Sequence, residues 1–110
     1  MEDYSCKLKA RIGNKAIYKK VENLRVKELQ DLGFVYDRTE NSRSIENIKY
    51  LWLSRRGYKN NIIIFSNDDS SPITVRISAI LDKNHDDAKK VSRKIKRDLS
   101  KLLETKLIEI

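Results

Sequence analysis

The chain has one cysteine, Cys6, so it can form no internal disulfide and does not belong with the disulfide-stapled small extracellular domains. The same shortage rules out a zinc site built on cysteines. A single histidine, His85, leaves little for acid–base or metal chemistry, and its neighbours Asn84, Asp86 and Asp87 mark it as part of a helix start. The three glycines stand far apart and make none of the standard phosphate-binding loops. The longest aliphatic run, Ile62-Ile63-Ile64-Phe65, is far below the roughly 20 residues that cross a bilayer. The opening MEDYSCKLKARIG lacks the layout of a signal peptide. These absences lead us to expect a cytoplasmic protein with no membrane partner, no metal, no cofactor and no enzymatic activity.

What is abundant is positive charge. Twenty-four Lys and Arg against sixteen Asp and Glu give a formal net charge of +8. An excess of this size favours anionic partners, nucleic acid or an acidic protein surface, and says nothing about fold. The charge is clustered. Lys7 to Lys20 contains six basic residues and no acid, and so does Ala88 to Arg97. At 110 residues and without a linker-like stretch, the chain reads as one domain, residues 1–110.

Hydrophobic periodicity supplies the elements. Tyr4, Cys6, Leu8, Ala10 and Ile12 alternate with Ser5, Lys7, Lys9 and Arg11, the period of a strand with one dry face. Gly13-Asn14 then marks a turn, and two readings of the next segment stay open. A hairpin would make Lys15 to Val21 a second strand, with Tyr18 and Lys20 beside Lys7, Lys9 and Arg11. Alternatively a helix runs from Lys15 through Leu32. We take the hairpin as the expectation, because Glu28 interrupts the apolar arc of the longer helix. Arg25 to Leu32 forms a short helix stopped by Gly33-Phe34, and a strand Phe34 to Asp37 leaves it. Arg38 to Asn47 reads as a loop.

Strands at Ile48 to Arg55, Ile62 to Ser66 and Ile73 to Leu81 follow as a meander. A long helix then begins near Asn84 to Asp86. Its stripe of Ala88, Val91, Ile95, Leu99, Leu102 and Leu103 faces the sheet, and its lysines and arginines face out. Leu107 to Ile110 is placed as an edge strand or a tuck into the core. The expected fold is α+β, a two-layer sandwich of an antiparallel sheet of four to six strands with two helices on one face.

Two constellations could bind nucleic acid. If Leu51 and Leu53 face the helices, Tyr50 and Trp52 lie on the open sheet face with Arg76, Lys9, Arg11 and Tyr18, extended by Arg55, Arg56, Tyr58 and Lys59. Aromatic rings among cations suit single-stranded nucleic acid, since every base has a flat face and every phosphate a charge. The second is the basic face of the last helix, with Lys90, Arg93, Lys94 and Arg97 able to follow a phosphate backbone. The expected function is a small non-enzymatic basic binding module for single-stranded nucleic acid or RNA. The alternative is a protein-interaction module that docks an acidic surface or forms a homodimer. Asp68-Asp69, with Asn67, Ser70, Ser71 and Pro72, reads as a turn rather than a metal site.

The Arg25 to Leu32 helix, the Gly33-Phe34 stop, three strands and the closing DDAKKVSRKIKRDLSKLL resemble, in element order, double-stranded RNA binding domains. The chain lacks that family's Gly-Pro-His type loop, and its closing helix is bulkier. Small RNA-cutting toxins share the layout, with a strand histidine that is absent here.

Overall fold

The computed structural model describes residues 3–41, 47–55, 58–79 and 85–110. Its elements, in chain order, are β1 (Asp3–Ala10), α1 (Asn14–Glu22), α2 (Val26–Asp31), β2 (Val35–Asn41), β3 (Ile48–Arg55), β4 (Tyr58–Ser66), β5 (Ile73–Ala79), α3 (His85–Leu102) and β6 (Leu107–Glu109). The six strands form one sheet in the order β2-β3-β4-β5-β1-β6, antiparallel throughout. Strands β2 to β5 are the meander, and β1 is inserted between β5 and β6.

The alternation in each strand sends one set of side chains under the helices. Cys6, Leu8, Leu51, Leu53, Ile63, Phe65, Ile73, Val75 and Ile77 are all buried on that side. They pack with Ile17 and Val21 of α1, Leu29 of α2, and Ala88, Ile95, Leu99 and Leu103 of the α3 region in one cluster. The α1 helix contacts β4 and α2 contacts β2, while α3 lies over β5, β1 and β6. The result is a two-layer α+β fold with three helices on one face rather than the two expected.

The hairpin expectation is overturned. Asn14 to Glu22 is helical, and Ile17 and Val21 reach the core from a helix rather than from a second strand. Both spacings put these residues inward, so periodicity alone did not separate them. The start of α1 is held from a distant part of the chain. Gly13 occupies the cap position without a side chain to offer, and Asp69 Oδ1 accepts the Lys15 N–H at 3.0 Å in its place. Asn14 Nδ2 donates to the Asp68 carbonyl at 2.9 Å. Glycine leaves room for this contact, since a Cβ at position 13 would lie 2.6 Å from Asp69 Oδ1 and push the carboxylate aside.

The α2 stop matches its sequence. Gly33 has φ of 82°, its N–H donates to the Gln30 carbonyl, and the Phe34 N–H donates to the Leu29 carbonyl, a Schellman motif sealed by the buried pair Leu29 and Phe34. Strand β2 begins one residue later than expected and continues to Asn41, through the start of the segment read as a loop. A bulge between Tyr36 and Arg38 shifts its register on β3. Residues 42–46, Ile80 and Leu81 lie outside the described residues. The α3 end repeats the α2 geometry with Glu104 at φ of 55°, and Ser100 Oγ accepts the Leu107 N–H to tie β6 to the helix.

Candidate nucleic-acid interface

Leu51 and Leu53 are fully buried under the helices, so Tyr50 and Trp52 occupy the opposite face of the sheet. Register sets their neighbours. One row across the sheet runs Arg38, Trp52, Ile62, Arg76, Ser5, and the next runs Glu40, Tyr50, Ile64, Thr74, Lys7. Lys9 lies further along β1, opposite Ile108 of β6. Tyr50, Trp52, Ile62 and Ile64 are half-buried, while Lys7, Lys9 and Arg76 are exposed. This face carries the aromatic and basic residues that the sequence grouped there, with three departures.

Tyr18 is not among them. It sits on α1, and the Lys49 ammonium lies 5.9 Å from its ring centre on the helix side of the sheet. Arg11 follows the end of β1 and lines a cleft of about 330 Å³ with Lys9, Gly13, Asp69, Pro72 and Ile110. Arg55 closes β3, Tyr58 and Lys59 open β4 where a turn was expected, and Arg56 lies outside the described residues.

The face is also closer to neutral than its cation count suggests. Arg38, which sits in the segment expected to be a loop, lies 4.4 Å above the Trp52 ring and bonds Asp37 at 2.8 Å and Glu40 at 3.3 Å. One ring face is therefore already stacked against a guanidinium whose charge is matched. Arg76 approaches Asp3 at 3.8 Å. The Trp52 indole N–H is buried and has no hydrogen-bond partner.

The α3 surface differs. At 100° per residue, Lys90, Arg93, Lys94, Arg97 and Lys101 fall on one continuous outward arc, and all five are exposed. Ala88, Ser92, Ile95 and Leu99 occupy the buried side. Ion pairs of the described residues include Lys20–Glu104, Arg38–Asp37, Arg38–Glu40 and Arg76–Asp3, and Asp98 of α3, four residues after Lys94 and three before Lys101, also has a partner. Toward the helix end the arc meets a shallow groove of about 520 Å³ lined by Lys96, Arg97, Lys101 and Lys106, with Glu104 beside them. This arc faces away from the sheet, so it and the Tyr50–Trp52 face lie on opposite sides of a molecule measuring 36 × 29 × 29 Å.

Two of the remaining reactive groups are occupied by structure. The Cys6 thiol is buried and lies 3.0 Å from Ser92 Oγ, and burial pushes its pKa up despite the hydrogen bond. Asp68 accepts from the Ser70 N–H and hydroxyl at 2.9 and 2.7 Å, which lowers its carboxyl below the ordinary 3.8. His85 opens α3. Among the described residues no three His, Cys, Asp or Glu side chains gather as a metal site, and no helix is long and apolar enough to cross a membrane. Asn61 is a buried residue without a polar partner: it sits among the core side chains at 0 % exposure, and neither of its amide atoms is hydrogen-bonded. No family model, curated protein or solved structure matches the chain.

Proposed function

We propose that this chain is a non-enzymatic module that binds the phosphate backbone of nucleic acid through the outward arc of α3, in an intracellular setting. The observation that carries the reading is the placement of Lys90, Arg93, Lys94, Arg97 and Lys101 on one exposed arc of α3. At about 1.5 Å per residue the arc is roughly 17 Å long, and a duplex of that length carries about ten phosphates. Long flexible side chains on a rigid helix suit contacts that follow a backbone and ignore base identity. The groove at Lys96 and Lys106 widens the same positive surface.

The aromatic sheet face is the second reading. Tyr50, Trp52 and Arg76 do share it, and this favours stacking of single-stranded bases. Against it, Arg38 already covers Trp52 and is itself paired.

Anisotropy titrations of labelled single-stranded and duplex RNA and DNA at two salt concentrations, with Trp52 emission followed in parallel, distinguish these. Binding that falls steeply with salt, leaves Trp52 emission unchanged and disappears in Arg93→Glu/Arg97→Glu is the expected result. Quenching of Trp52 that survives this double substitution would move the site to the sheet. No binding of any nucleic acid at low salt would overturn the reading.

A further inference from the structure

The face of the sheet turned away from the helices has an apolar centre of half-buried side chains, Tyr50, Trp52, Ile62 and Ile64, with the Arg38 side chain lying over the Trp52 ring at one end. We infer that a second copy of this chain covers it, packed face to face about a two-fold axis that crosses the strands between the Trp52 row and the Tyr50 row.

The argument is the pattern of the face under that rotation. The axis exchanges the two central rows, so Ile64 meets Ile62 of the second copy and Tyr50 meets its Trp52. On β2 the same operation sets Glu40 opposite Arg38 of the second copy. On β1 the residues facing out are Asp3, Ser5, Lys7 and Lys9 in order. Exchange of the rows puts Lys7 over a serine and Asp3 over Lys9. The β5 pair, Arg76 over Thr74, is also free of like charges. Across five strands the face is thus apolar against apolar at its centre and acid against base on β2 and β1, a complementarity the surface has with itself and that a closed two-fold interface requires. Sheets stacked in this way lie about 10 Å apart and cross at about 30°, a rotation whose displacements a lysine side chain spans. Six strands about 4.8 Å apart and four rows of outward residues about 7 Å apart give roughly 600 Å² per copy, so the pair buries on the order of 1,200 Å², the lower end for a specific complex. The α3 arcs end up on the two outer surfaces, clear of the contact.

Sedimentation velocity of the full chain over a concentration series tests this. The expected result is a reversible dimer of the 12.9 kDa chain, with Trp52 emission shifting to the blue as the dimer forms. Ile64→Lys, on a residue outside the buried core, weakens the dimer by at least about tenfold while circular dichroism of the monomer is unchanged. Asp3 and Lys9 stand six residues apart on one strand, about 20 Å, too far to pair within a copy. Asp3→Lys and Lys9→Asp should each weaken the dimer several-fold, and the double exchange should restore it. A monomer at every attainable concentration overturns the inference. So does a dimer indifferent to Ile64→Lys, which would lie on another face, or a monomer whose Trp52 responds only to added single-stranded RNA.

Discussion

The outer arc of α3 and the open face of the sheet are both rich in cations, but they are different kinds of surface. On the sheet, Arg38 is matched by Asp37 and Glu40 and Arg76 by Asp3, because acids occur on the same or adjoining strands. On α3 the helical repeat gathers Lys90, Arg93, Lys94, Arg97 and Lys101 onto one side, where the ten residues from Ala88 to Arg97 contain no acid and Asp98 adjoins the arc beside Lys94 and Lys101. A count of positive residues over the whole chain misses this difference. Affinity for a polyanion depends on charge left unmatched, and a matched cation instead lends orientation to an interface with protein.

The comparison breaks most sharply on charge reversal. Arg93→Glu/Arg97→Glu should lower nucleic-acid affinity about a hundredfold or more at low salt and reduce the salt slope by about one unit per lost phosphate contact. Arg38→Ala on the sheet should change it less than about threefold, because that guanidinium is already paired. Equal effects in anisotropy titrations would erase the distinction drawn between the two surfaces.

The two faces of the sheet can be compared through adjacent residues of β4. Ile63→Ala removes a fully buried side chain and should cost about 2–5 kcal/mol in urea denaturation, whereas Ile64→Ala on the half-buried face should cost under about 1.5 kcal/mol in the monomer. Asn61, on the Ile63 side, runs the other way. Its unpartnered amide is a standing desolvation cost, so Asn61→Val should raise stability by about 1–2 kcal/mol.

Smaller effects come from the turn that caps α1. Asp69→Ala removes the acceptor for the Lys15 N–H and should cost about 1 kcal/mol, and Gly13→Ala should cost a similar amount because its methyl group meets the same carboxylate. The two costs should not add, since both act by displacing one contact.

The smallest effect is in acid. The native state holds the Asp68 carboxyl below its ordinary value through the Ser70 hydrogen bonds, so the unfolded chain takes up this proton first. Its contribution is therefore complete above the ordinary carboxylate range and lost as pH falls through the lower native value. Asp68→Asn should flatten the Tm profile below about pH 4 and leave the neutral plateau with a small fixed loss.

Much of the fold was legible because it is written in short periods. The β5 alternation of Ile73, Val75 and Ile77, the α3 stripe and the Gly33 stop each need only a few neighbouring residues to be read. Parity put Tyr50 and Trp52 on one face together, and the burial of Leu51 and Leu53 decided that this face is the open one. Arg38 was missed because RTEN looks like a turn in isolation, and only pairing with β3 makes it a strand and sets a guanidinium over an indole.

By itself, the sequence determined which residues are apolar at which period, and hence the strands of the meander, the amphipathic last helix and its basic arc. Tertiary structure decided what local period leaves degenerate. Ile17 and Val21 fit a strand or a helix equally, and a carboxylate from position 69, 54 residues beyond the amide it caps, accompanies the helical choice. The insertion of β1 between β5 and β6 likewise rests on hydrogen bonds between segments remote in the chain. Whether a cation is free or matched is decided at the same level, because it depends on which acids the fold brings within reach.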